Sequence, residues 1–238
     1  MDKTKEKVKK KKEKIRSKKH DEVSIKVDKS KEYTIDEACA LVREISTAKF
    51  DAAVEAHIRL NFDPAKDSVR GNVSLPNGTG KSIRIIVFAD DKLADEAKKA
   101  GAVEAGNDTL IEKIKKGWLD FDLAIAHPSM MPKVGQLGKI LGTKGLMPNP
   151  KAGTVTPEVV QSVAEFSKGK AEFKADSQAI IHQAIGKVSF DAPKIQENLQ
   201  ALINAVRKAK PAKTKGKFFV SAFLAPTMGP SVKFKIAE

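Results

Sequence analysis

The segment IRIIVF, residues 83–88, decides the fold class, because it is a nearly continuous run of β-branched and apolar residues. Such a run is typical of a strand that is covered on both faces. Helical patterns follow at 93–100 and 109–116, and short apolar segments stand at 102–103 and 123–126. Strand, helix, strand, helix, strand predicts a parallel, doubly wound (Rossmann-like) α/β unit.

The chain on either side of this unit has a different periodicity. Structure is expected to begin at Thr34, where Thr34 and Glu37 fit a capping box at the start of a helix. Apolar and polar residues then alternate over 54–62, which predicts a half-buried strand, and residues 69–75 are expected to pair with it across a short turn. These segments indicate an α+β pattern of helix and strands.

The same α+β pattern is found again after the α/β unit. Thr156 is expected to cap a helix with Pro157 at its first position, and strands are expected at 170–175 and 179–185. A long amphipathic helix over 194–208 and strands near 218–224 and 232–236 complete the chain. We therefore expect an α+β domain made from both chain ends, residues 31–78 plus 169–238. An α/β domain, residues 79–168, is inserted between its halves and joined near Gly78 and Gly169.

The charge is concentrated at the N-terminus. The 238 residues carry a net charge of +14, and residues 1–20 alone contribute eleven Lys or Arg against three acidic residues. Residues 1–30 are expected to form a basic, disordered or marginally helical extension. A polycation of this kind favours nucleic acid as a partner, whereas its lack of an apolar face argues against a membrane. No apolar run is long enough to span a bilayer and no secretory signal is visible, so a cytoplasmic protein is expected.

No pattern indicates an enzyme or a metal site. Cys39 is the single cysteine, and the four histidines lack metal-ligand spacing. Residues 78–82, GTGKS, resemble the end of a phosphate loop, but Leu75 stands where that loop requires its first glycine. Asp120 and Asp122 are interpreted as solvated acids. We expect no cofactor, although an enzyme that uses the α/β unit for a nucleotide remains an alternative.

Two other segments could be binding sites or only structural. Residues 134–150 are rich in glycine, and their lysine neighbours could meet phosphate, but a tight structural loop explains them equally well. The residues of this expected loop are Lys133, Gly135, Lys139, Gly142, Lys144, Gly145 and Lys151. The segment Thr227–Ser231 (TMGPS) places an apolar Met in a Gly-Pro turn, where the residues alone favour a structural turn over an RNA contact. His57 on the polar face of its strand is interpreted as a surface residue or RNA contact.

The TMGPS segment resembles the C-terminal part of the ribosomal protein L-one family, which forms the mobile side stalk of the large ribosomal subunit. Four further segments match in the same order. They are AKFD (48–51), VRG with LP (69–71 and 75–76), KILGTKGLMPNPKAGT (139–154), and IH leading to IGKV (181–182 and 185–188). The resemblance covers about residues 30–238 and leaves the basic extension outside.

This resemblance implies a non-enzymatic, monomeric constituent of the large subunit. Its two-ended domain would bind large-subunit rRNA, and its inserted domain would face exit-site tRNA and assist release of deacylated tRNA. Repression of its own operon mRNA is also implied. The implied rRNA contacts are Lys49, Phe50, Glu55, Asp176, Ser221, Thr227, Met228 and Gly229.

Two departures from the family pattern affect the expected site. Ala53 stands where a hydroxyl residue is usual, which leaves one hydrogen bond in question. Ala225-Pro226 replaces a pair of threonines, which puts the local strand pairing in question. The alternative to specific recognition is a generic nucleic-acid chaperone driven by the lysine-rich extension.

Overall fold

The computed structural model describes residues 18–64, 66–212, 214 and 216–236, so residues 1–17 of the expected extension lie outside it. The rest of the extension contains a short helix, which agrees with the marginally helical alternative of the two that were expected. Helix α1 spans Lys18–Ser24, and Val27 is buried in the same core as the sheet described below. Tyr33 bonds through its backbone to Lys233 and Lys235. The expectation that structure begins at Thr34 is therefore wrong, because Val23 and Val27 of this basic segment pack on the core.

A four-stranded antiparallel sheet forms the centre of the unit built from both chain ends. Its strands are β1 (Ala53–Leu60), β7 (Ile180–Lys187), β8 (Phe219–Pro226) and β9 (Val232–Phe234). They lie in the order β7-β1-β8-β9. Burial alternates along β1, as its sequence predicts, so one face packs on the core and the other is half exposed.

Two helices pack on the buried face of this sheet. They are α2 (Ile35–Glu44) and α8 (Ala192–Lys208), and their apolar residues share one core with β1 and β8. The capping box is confirmed: the Thr34 hydroxyl accepts the N–H of Glu37 at 3.3 Å, and the Glu37 carboxylate accepts the N–H of Thr34 at 3.1 Å.

The second predicted strand of this unit has a different partner from the one expected. Strand β2 (Arg70–Ser74) pairs with β6 (Lys170–Lys174), not with β1. Both edges of β1 are already occupied by β7 and β8, so β1 has no free backbone donors or acceptors for β2.

The middle of the chain forms a parallel three-stranded sheet. Its strands are β3 (Ile85–Phe88), β4 (Glu104–Gly106) and β5 (Leu123–Ala126), in the order β4-β3-β5. The helices of this unit include α3 (Asp91–Lys99), α4 (Asp108–Lys115) and α7 (Val159–Ser167). All four β3 residues are buried, and alternate ones enter two apolar clusters, one on each side of the sheet. The strand covered on both faces is confirmed, and so is the mixed α+β and α/β fold class.

The glycine-rich segment is mostly helical, so the expectation of a loop is wrong. It forms α5 (Met131–Val134) and α6 (Gly138–Lys144), with 3-10 turns at Pro128–Met130, Gly135–Leu137 and Pro150–Ala152. Burial of Val134, Leu137 and Leu141 outweighs the helix penalty of glycine, which is about 1 kcal/mol per residue. Only Gly145, with φ of +72°, takes the left-handed conformation that ends α6.

The start of α7 also differs from the sequence expectation. The helix begins at Val159, after the expected cap at Thr156 and first residue at Pro157. The Thr156 hydroxyl accepts the N–H of Glu158 at 3.2 Å, which stabilises a turn that precedes the helix.

The two connections between the units lie against each other. A Cβ on Gly169, where φ is +116°, would stand 2.5 Å from the Cα of Gly78, so only glycine allows this approach. The buried amide of Asn198 on α8 donates to the carbonyls of Gly78 and Ile185, at 2.9 and 2.7 Å, and its oxygen accepts the N–H of Asn77 at 3.1 Å. The first connection is thereby attached to the longest described helix.

Candidate nucleic-acid interface

The turn between β8 and β9 holds Met228 away from the core. Met228 is 76% exposed and has a φ of +64°, a left-handed conformation that costs a non-glycine residue about 1–2 kcal/mol. A Cβ on Gly229 would lie 2.5 Å from the Pro226 ring and 3.4 Å from the carbonyl oxygen of Ile45, so close packing requires glycine there. A strained, exposed apolar side chain on a tightly packed turn is typical of a binding site.

Thr227 attaches this turn to the start of β1. Its N–H donates to the carbonyl of Ala53 at 2.9 Å. Its hydroxyl lies 3.1 Å from the N–H of Ala53 and 3.2 Å from the Ala53 carbonyl. The bonds to Ala53 involve its backbone, so they do not depend on the side chain at that position. The register of β1 and β8 continues to Val54 opposite Pro226, so the Ala225-Pro226 departure leaves the strand pairing intact.

The loop before β1 carries Lys49 and Phe50 and leads into Ala53, which bonds to Thr227 of the turn. Both residues are exposed, and Phe50 is 57% exposed despite being aromatic. The next residue, Asp51, accepts the backbone N–H of Ser189 at 3.1 Å and its hydroxyl at 2.9 Å. The bond from the Ser189 hydroxyl is the largest cause that holds the pKa of Asp51 below its usual value. The loop is therefore fixed at its base, while its tip is open to a partner.

The half-exposed face of the four-stranded sheet carries three more of the predicted residues. Glu55 and His57 are on β1 and Ser221 is on β8, directly opposite Arg59 of β1. His57 lies between Phe223 of β8 and His182 of β7 in the strand register. Sequence reasoning missed Phe223 and His182 as site residues, because only the strand register places them beside His57.

A hydrogen-bonded pair of imidazoles occupies this face. The Nδ1 atoms of His57 and His182 are 2.8 Å apart, and the rings meet edge to face with centroids 5.0 Å apart. Glu55 Oε2 lies 3.9 Å from His57 Nε2, and Asp176 Oδ2 lies 3.4 Å from His182 Nε2. Burial is the main cause that lowers the pKa of His57, and His182 lowers it further, while Glu55 raises it.

Asp176 is fixed by the turn that precedes β7. Its Oδ1 accepts the backbone N–H groups of Gln178 and Ile180, each at 2.8 Å. The bond from Ile180 is the largest cause of the lowered pKa of this carboxyl, which favours its charged form. Asp176 therefore offers Oδ2 as an acceptor on the same face as Glu55.

The second set of predicted residues lies on the other unit, in the glycine-rich helical segment. Lys139, Lys144 and Lys151 are exposed. Lys133 already meets Asp108, at 2.9 and 3.0 Å. A Cβ added at Gly135, Gly142 or Gly145 would meet nothing within 4 Å, as at Gly138, so these glycines have no packing role within the described chain.

Within the part of the chain that the structure describes, no three His, Cys, Asp or Glu residues are grouped so as to hold a metal ion. No described helix is long and apolar enough to cross a membrane. The GTGKS segment lies before β3, and Lys81 pairs with Asp122 at 2.9 Å. Asp120 and Asp122, interpreted as solvated acids, both pair with Arg84.

The chain is similar to known proteins over most of its length. The model of the family described as "Ribosomal protein L1p/L10e family" matches residues 42–230. A protein of Kosmotoga olearia called "Large ribosomal subunit protein uL1" is 49% identical over 91% of this chain and 95% of its own length. Proteins of the same name from Lactobacillus delbrueckii subsp. bulgaricus and Protochlamydia amoebophila are 51% and 46% identical. They match over 91% and 93% of this chain, and 94% and 95% of their own lengths. The chain therefore belongs to the Ribosomal protein L1p/L10e family and is a protein of the ribosome.

Proposed function

We propose that this chain is a structural constituent of the large ribosomal subunit that binds large-subunit rRNA and forms the mobile side stalk. The observation that carries the proposal is Met228, an exposed apolar side chain held in a strained conformation by the packed turn. Ribose and base faces are surfaces that such a side chain can cover, and exposed Phe50 offers an aromatic ring for stacking. We infer that Lys49, Thr227 and Gly229 complete this part of the interface.

The sheet face supplies polar groups for the same RNA. Glu55, Asp176 and Ser221 present acceptors that suit ribose 2′-hydroxyls and base amino groups, whereas lysines bind phosphate. Carboxylates are poor partners for phosphate, so their presence favours recognition of a folded RNA over charge attraction alone. A generic chaperone driven by the basic extension would have no need of such a surface.

We further propose that the glycine-rich helical segment faces exit-site tRNA and assists release of the deacylated tRNA. Its glycines leave the helix surface open, so an RNA backbone could approach closely, and Lys139, Lys144 and Lys151 add positive charge. Lys133 contributes less, because Asp108 already neutralises it. The chain would also repress its own operon by binding an mRNA segment that resembles the rRNA site.

The domain boundaries belong to this proposal. We place the rRNA-binding domain at 31–78 plus 169–238 and the inserted domain at 79–168. The separate apolar clusters support this division, because one contains residues between 27 and 75 and between 173 and 234, and the other two contain residues between 85 and 166. Val27 is buried in the first of these clusters, which supports a proposed extension of the first domain toward the N-terminus.

Binding and sedimentation together test the proposal. The full chain should sediment with large ribosomal subunits and should bind the stalk rRNA in preference to an unrelated hairpin of equal length at the same salt concentration. Equal affinity for both RNAs would favour the generic chaperone. ATP or GTP binding without RNA preference would favour the alternative of a nucleotide-dependent enzyme.

A further inference from the structure

Four residues form a continuous line across the half-exposed face of the sheet, in the order Glu55, His57, His182 and Asp176. We call this line the imidazole chain. A carboxylate stands at each end, 3.9 Å and 3.4 Å from the nearest ring nitrogen, and the two rings meet through nitrogens 2.8 Å apart. All four side chains are partly exposed, between 29% and 51%, so a bound RNA could contact them.

The geometry limits how many protons this line can hold. The two Nδ1 atoms share one proton, because a hydrogen on each would bring the hydrogens into collision at 2.8 Å. Each Nε2 can hold one more, which gives a maximum of three protons on four nitrogens. Two neutral imidazoles carry only two protons, so one Nε2 lone pair then faces a carboxylate. A third proton removes that repulsion and gives the pair a single positive charge.

We propose that His57 and His182 act as one unit that takes up a proton when RNA binds, so that His182 is a further RNA-binding residue of this interface. The inference rests on the proposed function. Glu55 and Asp176 place two negative charges on a surface that would face a polyanion. One shared positive charge between them offsets this, and the negative potential of the RNA favours its formation.

The charged groups around the pair and the exposure of its two rings indicate which ring carries the proposed charge. On β1 the flanking charged groups are Glu55 and Arg59, and on the turn before β7 it is Asp176. The facing residues of β8, Phe223 and Ser221, carry no charge. Lys233 of β9 lies beyond Phe223 and pairs with Glu32. His57 is the more buried ring, with 29% of its side chain exposed against 51% for His182, so the proposal places the charge on His182, where water and RNA can reach it.

The sign of the pH dependence follows from proton uptake. Affinity for RNA is highest where the pair is already charged and falls as pH rises through its titration. One proton taken up on binding limits the slope to about tenfold per pH unit. Lysine and arginine side chains stay charged near neutral pH, so other phosphate contacts do not add to this slope.

The test measures affinity for the stalk rRNA at constant ionic strength between about pH 5.5 and about pH 8.5, which brackets the ordinary histidine pKa. His182→Gln removes the titration but keeps an N–H that can donate to Asp176. His127→Gln is the matched control, since His127 lies in the other unit and contacts Ser129. Wild type and control should lose affinity with rising pH, whereas His182→Gln should give a nearly flat profile. A slope in His182→Gln equal to that of wild type would overturn the inference and leave the proposed function standing.

Histidine ring NMR on the free protein checks the proton count without RNA. One ring of the pair should titrate in this range, and the second should stay neutral to much lower pH, because the shared position admits one proton. Two independent titrations near the ordinary histidine value would overturn the inference. Failure of the wild type to bind rRNA at every pH would overturn the proposed function, and this inference with it.

Discussion

Met228 gives the sharpest test of the turn. Substituting it by alanine and by glycine distinguishes the effect of losing the side chain from the effect of relieving the strained backbone. Both variants remove the apolar group that we propose covers ribose and base surfaces. We expect each to lose about 1–3 kcal/mol of rRNA affinity, which is about fivefold to 150-fold, with an unchanged salt slope because no charge is removed.

The two variants should differ in stability in an unusual direction. About a quarter of the surface of Met228 is covered, so truncation to Ala loses only about 0.5 kcal/mol of burial. Alanine keeps the cost of a φ of +64°, about 1–2 kcal/mol, whereas glycine relieves it at an entropic cost of about 0.5–1 kcal/mol. Met228→Gly should therefore be more stable than Met228→Ala by about 0.5–1 kcal/mol, the reverse of the usual order in helices.

Thermal melting and filter binding on the same preparations measure both quantities. A difference of 1 kcal/mol corresponds to a Tm shift of about 2–4 °C in a chain of this size. Val103→Ala is the matched control, because Val103 is 54% exposed in the other unit and should change neither property. The reasoning is refuted if Met228→Ala binds rRNA normally but melts much earlier, since Met228 would then be a core residue in solution.

Three further predictions concern the connections between the units and the extension. Replacing residues 79–168 by a short link from Gly78 to Gly169 should leave a folded protein with most of its rRNA affinity, because the two glycines already lie in contact. Circular dichroism measures the folding and filter binding measures the affinity. An unfolded product, or one that no longer binds rRNA, would contradict the prediction. Asn198→Ala removes three hydrogen bonds at a fully buried position and should lower the free energy of unfolding by about 2–4 kcal/mol, whereas exposed Gln200→Ala should leave it nearly unchanged in urea denaturation. Removing residues 1–17 deletes nine Lys or Arg and should flatten the salt dependence of binding while the preference for stalk rRNA survives; a loss of that preference would make the extension a recognition element.

Local sequence patterns predicted the structure correctly wherever the residues that determine a feature lie within one segment. The capping box at Thr34 and Glu37 needs only two residues that are three positions apart. The alternation of apolar and polar residues along β1 predicts which of its faces is buried. The run at 83–88 predicts a strand covered on both faces without reference to any partner. The Gly-Pro turn at 227–231 likewise follows from its own residues, and it lies between β8 and β9.

The sequence-based predictions were wrong where contacts between distant segments determine which structure a segment adopts. Strand β2 pairs with β6 because β7 and β8 already occupy both edges of β1. The glycine-rich segment is helical because three buried apolar side chains outweigh the helix penalty of its glycines, a balance that composition alone does not reveal. In each case a long-range contact overrides a local preference.

The sequence by itself determined the fold class, the two kinds of unit and the turn between β8 and β9, because each follows from short-range periodicity or from a local motif. Only the tertiary structure decided that His57 and His182, 125 residues apart, share a hydrogen bond, and that Asp176 and Glu55 stand at the two ends of their line. The register of β1 against β7 sets these neighbours, and register depends on how whole strands bury their apolar faces. A second long-range contact, between Thr227 and Ala53, which are 174 residues apart, attaches the turn that holds Met228 in its left-handed conformation.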